Sequence, residues 1–303
     1  MKLVSFKIKS SGQSTIGAYQ DGVYFDLAKM SGGELPDNML AFLNDSEANI
    51  QRAAQLLSAA DGSCCAYKED EIALLSPVRP GKIIHTSCNF SAHLDELTTW
   101  QAPEWQDHGW GDFHFEHPTG FLEASSCVVG SGEGIRIPRF TKQLDFEIEV
   151  GIVIGKTCKC VTPEEALDYV AGLTIFNDIS ARDIQAREHA NKVILMGKSF
   201  DGSCPFGPWL VTKDEIGDVT NLDMKLRLNG EVRQDSNISQ TVYGVAELVS
   251  WWSEMTLEPG DIITTGSPPG VISGMEKPVW LKPGDLIEAT VEKLGTLVTP
   301  IIE

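Results

Sequence analysis

The sequence predicts an α+β protein that is mainly β. Two-residue alternation marks strands at Lys2–Lys9 and through Leu144–Lys156, which reads LDFEIEVGIVIGK. The pattern L-x-P-G-D occurs twice, at Leu257–Asp261 and Leu281–Asp285, each time ahead of a β-rich run. Helical spacing is confined to a few separate stretches.

In chain order, strand-like pieces at Lys2–Lys9 and Thr15–Ala18 lead to Gly22–Leu27, and helical spacing follows over Asn38–Leu57. Together they predict a first unit of residues 1–75. Ser76-Pro-Val-Arg-Pro-Gly81 is rich in turn formers and reads as a linker, so residues 76–303 form the second unit. That unit opens on a short strand, Lys82–Thr86. Residues 98–118 mix Trp100, Trp105, Trp110, His108, His114 and His117 with acids and glycine in no steady period, the pattern of a long loop or lid. Helices are expected at Pro163–Ala171, from near Ser180, and over Val242–Trp252. In both L-x-P-G-D copies, Pro then Gly at the central positions suits a type II turn feeding a strand.

Composition is that of an ordinary globular protein, 42% hydrophobic and 22% charged. A net charge of −19 argues against nucleic acid or an anionic membrane as partner. No segment approaches the roughly 18 apolar residues of a membrane span. The opening MKLVSFKIKSSG reads as a strand, without the apolar core of a signal peptide. Seven cysteines in no disulfide-framework or zinc spacing are expected to be reduced thiols in a cytoplasmic protein.

The strand at Leu144–Lys156 carries the most chemistry. Its period places Asp145, Glu147 and Glu149 on one face, and three adjacent carboxylates repel unless a cation sits among them. A solvated strand face is the alternative, disfavoured by the apolar run GIVIG that follows. Asp178 ends the apolar segment Ala171–Asn177 just before the helix expected at Ser180; it is either a third metal ligand or a helix N-cap. Three carboxylates and water suit Mg²⁺ or Mn²⁺. His93 and Glu96, spaced i, i+3, can pair on one helix face, and a carboxylate beside an imidazole raises its basicity; an exposed pair is the alternative. Lys198 sits in Met196-Gly-Lys-Ser-Phe-Asp201 as an oxyanion partner or an ordinary surface charge. Thr264–Gly270 offers hydroxyls and N–H groups to a carboxylate, or is a plain tight loop. Gly130–Gly134 lacks a dinucleotide-binding spacing, and the histidines of 108–117 lack a metal-binding one.

Taken in order, Asn89-Phe-Ser-Ala-His-Leu-Asp-Glu96, Leu144–Glu149, Asn177-Asp-Ile-Ser-Ala-Arg-Asp-Ile-Gln185, Gly197-Lys-Ser-Phe-Asp201 and Thr265-Gly-Ser-Pro-Pro-Gly270 resemble the fumarylacetoacetate hydrolase family. Asn229–Gln234 and Leu257–Asp261 do as well. The resemblance covers about 77–303, and residues 1–75 look like the small N-terminal α/β domain of many members. It implies a mixed β-sandwich roll, a homodimer, and a Mg²⁺ or Mn²⁺ site of Glu147, Glu149 and Asp178, with Asp145 left as a supporting acid. It further implies a His93–Glu96 dyad on a segment that orders over the substrate, and Lys198 as the active-site lysine. Gln185, Ser267 and Thr265 fall where members contact the substrate's oxygens. One departure stands out: Phe121-Leu-Glu-Ala-Ser-Ser126 carries Glu123 where many members have a lysine that assists substrate binding.

The activity so implied is hydrolytic cleavage of a C–C bond in a β-diketone or acylpyruvate-type 2-oxo acid through a metal-bound enolate. His93–Glu96 would activate water and Lys198 would stabilise the oxyanion. Decarboxylation or keto–enol isomerisation could use the same scaffold. A non-catalytic ligand-binding relative would require a broken metal site or dyad.

Overall fold

The computed structural model of the chain describes residues 1–59, 65–98, 100, 105 and 116–303. Its centre is the strand Ile148–Ile154, buried at every position. Antiparallel pairing to Val170–Asn177 on one side and Ile262–Thr264 on the other places it deep within a twelve-stranded sheet. Alternate side chains enter different cores, as the two-residue period requires. Ile148, Val150, Ile152 and Ile154 pack with Leu226, Ile287 and Leu297 of the five-stranded sheet. Val153 faces the other way, into the core that holds Leu27, Phe42 and Leu43. The architecture is thus α+β and mainly β, with one large sheet between a smaller sheet and the N-terminal helices.

The sheet runs through both expected units. Lys2–Ile8 pairs with Cys204–Thr212, registering Leu3 opposite Leu210, so the first strands extend the sheet that holds the site. Both L-x-P-G-D turns form. Gly260 and Gly284 have φ of +87° and +93°, which a side chain would strain. Asp261 and Asp285 each accept the backbone N–H three residues earlier, at 2.7 and 2.9 Å.

Several boundaries differ from those expected. Helical spacing over Asn38–Leu57 breaks into Met39–Leu43 and Ser46–Ala59, with Asn44 capping the first. The helix expected over Pro163–Ala171 stops at Ala166, continues as one 3₁₀ turn, and becomes strand at Val170. The helix expected near Ser180 begins at Arg182, because Ser180–Ala181 pairs with Leu144–Asp145. The long strand is itself interrupted. Leu144–Asp145 and Ile148–Ile154 are separate pieces, and side chains complete the gap: Asn177 Oδ1 accepts Glu147 N at 2.9 Å and Gln234 Oε1 accepts Ile148 N at 2.9 Å. Most of the segment expected as a lid, including Trp110, His108 and His114, lies outside the described residues.

Candidate active site

A cavity of about 200 Å³ opens over the start of the central strand. Its polar floor includes Glu147, Glu149, Asp178, Lys198, Arg182 and His85, and Leu97, Trp100 and Phe121 line its apolar side. The three carboxylates come from Ile148–Ile154, from the residue before it, and from the end of Val170–Asn177, whose antiparallel pairing registers Ile148 opposite Asn177. One oxygen from each of Glu147, Glu149 and Asp178 lies within 4.8 Å of the others. The N-cap alternative for Asp178 does not hold, since no helix starts there.

Two cations sit against this floor. Lys198 Nζ donates to Glu147 Oε2 and Ser180 Oγ at 2.6 and 2.7 Å, and to Asp178 Oδ2. An ammonium has three N–H groups, so all are engaged. Lys198 is therefore no surface charge, and work at an oxyanion would require one of these bonds to be released. Arg182 donates from Nε to Asp145 at 2.9 Å and from its terminal nitrogens to Glu147 at 2.7 Å and Gln185 Oε1 at 3.0 Å. Trp100 covers the guanidinium at 5.1 Å.

Burial and charge set the titration of the floor. Burial alone would raise the Glu147 pKa, but Arg182 and Lys198 override it and hold Glu147 well below the usual carboxylate range. Burial pushes Glu149 up to about 8; the relief from His85 is partly cancelled by Asp178 and Glu147. Glu123, buried beside Asp178, is driven in the same direction. Burial disfavours the charged form of His85, yet Asp178 and Glu149 outweigh it and raise the imidazole to about 10.

These residues fit a divalent ion. Glu149 Oε1 and Asp178 Oδ1 are buried and find no hydrogen-bond donor among the described residues. Oriented, desolvated, unpartnered carboxylate oxygens are what a hard cation completes.

His93 and Glu96 lie on the helix Ser91–Leu97 and meet at 2.8 Å through Nδ1. Glu96 Oε1 also accepts Gly270 N at 2.8 Å, which pins the dyad to the 264–270 loop. His93 Nε2 stands 3.9 Å from Glu147 Oε1, over the carboxylates. His93 is buried and Glu96 partly so, against the exposed alternative. Gln185 and Ser267 line the cavity. Thr265 does not: its hydroxyl accepts Val150 N at 3.0 Å and donates to Gly266 O at 3.2 Å, so it braces the central strand.

Glu123 is not at the cavity surface either. It points inward from Thr119–Glu123, where Cys204 Sγ approaches it at 3.5 Å, while Phe121 of the same strand lines the cavity. Two residues of the floor escaped the sequence reading. Arg182 was visible inside the Asn177–Gln185 motif. His85 was visible as the polar interruption of Ile83-Ile84-His85, a histidine on a buried strand face.

A sequence model of the fumarylacetoacetate hydrolase C-terminal region matches residues 82–302. The chain belongs to the fumarylacetoacetate hydrolase family. It is 37% identical to the mitochondrial oxaloacetate tautomerase of Xenopus laevis over 305 residues, covering all of this chain and 90% of that one. Identity to 2,4-didehydro-3-deoxy-L-rhamnonate hydrolase of Sphingomonas sp. (strain SKA58) is 44% over 219 residues, 71% of each. The fold also matches maleylpyruvate hydrolase from Sphingobium sp. SYK-6, solved with manganese(II) and pyruvate, with a TM-score of 0.77, 27% identity, and coverage of 100% and 99%. The family thus includes hydrolases and tautomerases, and this chain is one of its enzymes with a candidate divalent-metal site. Among the described residues no helix is long and apolar enough to cross a membrane.

Proposed function

We propose that the chain is a metal-dependent hydrolase that cleaves a C–C bond in a β-diketone or acylpyruvate-type 2-oxo acid. The observation that carries this reading is the part-buried His93–Glu96 dyad, held over the carboxylate floor. A tautomerase or decarboxylase uses acid–base groups without attack by water, so incorporation of water oxygen separates the readings.

Glu147, Glu149 and Asp178 would hold Mg²⁺ or Mn²⁺, which when bound supplies Lewis-acid polarisation of the substrate's oxo and carboxylate oxygens. His93 donates from Nδ1–H to Glu96, which leaves Nε2 as the acceptor facing the cavity. Nε2 takes the proton of a water that attacks the carbonyl, and the fixed Glu96 carboxylate stabilises the imidazolium. The same imidazolium then returns its proton to the departing carbon. Lys198 and Arg182 keep the carboxylates oriented through the cycle, while Gln185 and Ser267 contact the substrate's acid end. Trp100 and Phe121 cover the opposite side and exclude water. We further propose residues 1–75 as a small N-terminal unit beside the catalytic 76–303, in a cytoplasmic homodimer.

Turnover of acylpyruvates and β-diketones in ¹⁸O-water with Mg²⁺ or Mn²⁺ tests the assignment. Hydrolysis places label in a newly formed carboxylate. Label-free conversion of oxaloacetate or another keto acid would instead establish the tautomerase or decarboxylase reading, which similarity to the Xenopus tautomerase supports. His93→Gln is expected to lower kcat by roughly 10²–10⁴-fold while metal binding persists, read by steady-state kinetics beside calorimetry.

A further inference from the structure

We propose that His85 supplies Nε2 as a nitrogen ligand to the divalent-metal site, so that the site selects Mn²⁺ or a later first-row ion over Mg²⁺. The inference rests on the metal reading of Glu147, Glu149 and Asp178, and adds a donor of different chemistry to it.

His85 is 2% exposed, and its Nε2 lies 3.0 Å from Asp178 Oδ2 and 3.3 Å from Glu149 Oε1. At such distances a hydrogen bond would be expected. Without an ion the ring pairs with these oxygens as an imidazolium, yet neither nitrogen reaches hydrogen-bond geometry among the described residues. An entering ion takes the place of the ring's proton. The nitrogen therefore meets Glu149 at its unpartnered Oε1, and meets Asp178 at Oδ2 while Oδ1 of that carboxylate is unpartnered. A buried imidazole nitrogen converging with the unpartnered Glu149 Oε1 and with a carboxylate whose Oδ1 is unpartnered forms a set of donors that one ion would join.

The ring is held for this purpose. His85 lies on Ile83–Ser87, inside the large sheet between Ile262–Thr264 and Thr119–Glu123. Phe121, its cross-strand neighbour, stacks on it at 4.7 Å and 10°, and Phe176 meets it edge-on at 6.1 Å. An oxygen of Glu123, a ring nitrogen of His85 and an oxygen of Asp178 also lie within 4.8 Å of one another. Glu123 thus stands as a buried carboxylate beside the imidazole, adding negative charge next to the site. This gives Glu123 a reason to be present that substrate contact does not.

Donor type decides the ion. Mg²⁺ takes oxygen ligands and keeps its waters, whereas imidazole suits Mn²⁺ poorly but acceptably and Fe²⁺, Co²⁺ or Zn²⁺ well. Adding one nitrogen to three carboxylates shifts preference in that direction.

The test is pulsed EPR of the full-length protein loaded with Mn²⁺, beside calorimetry with Mn²⁺ and with Mg²⁺. Expected is a ¹⁴N coupling from a directly bound imidazole, converted to ¹⁵N by labelled histidine and lost in His85→Gln. Mn²⁺ affinity should fall at least tenfold in that variant while Mg²⁺ affinity changes less. His93→Gln and His189→Gln, the other histidines lining the cavity, should keep the coupling, which leaves His85 as its source among them even if His85→Gln fails to fold. Mn²⁺ binding with no nitrogen coupling, or coupling lost in His93→Gln, overturns the role of His85 and leaves the carboxylate site standing. Absence of any Mn²⁺ binding to the wild-type protein overturns both.

Discussion

The two halves of the buried charge cluster are built on opposite terms. On one side, Asp145 accepts from Phe146 N, Ile272 N, Ser273 N, Ser273 Oγ and Arg182 Nε, all between 2.8 and 3.1 Å. Glu147 next to it takes both Arg182 and Lys198. On the other side, Glu149, Asp178, Glu123 and His85 share few donors, and each keeps a buried polar atom without a hydrogen bond. Asp145 is scaffold, because its lone pairs are already used, whereas Glu147 keeps a lone pair on each oxygen beyond its two cations and joins the two sides. An unsaturated carboxylate is costly to bury and survives where an ion completes it.

The largest effect that probes this contrast falls on the saturated side. Asp145→Ala leaves Arg182 buried with one partner fewer and frees the N–H groups of Ile272 and Ser273. It is expected to cost about 3–5 kcal/mol in chemical denaturation. A loss under about 1 kcal/mol would show that Asp145 is not the scaffold described. On the unsaturated side, wild-type protein should gain about 2.7 kcal/mol with Mn²⁺ at a hundredfold excess over Kd, seen as a rise in Tm that a chelator reverses. Asp145→Asn, where folded, should retain most of that response, whereas Glu149→Gln should lose it.

A pH-dependent test of the unsaturated side concerns Glu149 in chelator-treated protein. Its pKa rises from 4.5 to about 8 on folding, chiefly through burial. A carboxyl raised in this way ionises first in the unfolded chain, so wild-type stability declines as pH climbs from 4.5 towards 8. Glutamine does not titrate. Glu149→Gln should therefore become relatively more stable across that window, by an amount growing with pH in parallel denaturation series. A difference that stays flat with pH would place Glu149 in a less hostile setting than its burial indicates.

Much of the site could be read before folding because its signals are local. The two-residue period put Glu147 and Glu149 together, i, i+3 spacing paired His93 with Glu96, and Pro-Gly followed by Asp marked two turns that form as expected. The interruption of the strand at Phe146–Glu147 was not readable, since it depends on Asn177 and Gln234 arriving from elsewhere. Nor was the role of Arg182, which meets Asp145 across 37 residues of sequence, or of Lys198, which reaches Glu147 across 51. Thr265 shows the reverse error: a hydroxyl in a loop beside the site looked like a substrate contact, and the backbone of Val150 claims it.

By itself the sequence determined the strand-rich class, the turns, and the grouping of Asp145, Glu147 and Glu149, because side-chain alternation and φ preferences act over a few residues. The family resemblance, not alternation, singled out Glu147, Glu149 and Asp178. Only the tertiary structure decided which carboxylates are saturated by protein donors and which keep lone pairs for an ion. That depends on desolvation and on the approach of Arg182, Lys198 and His85 through space. The same fold turned Glu123 inward beside His85.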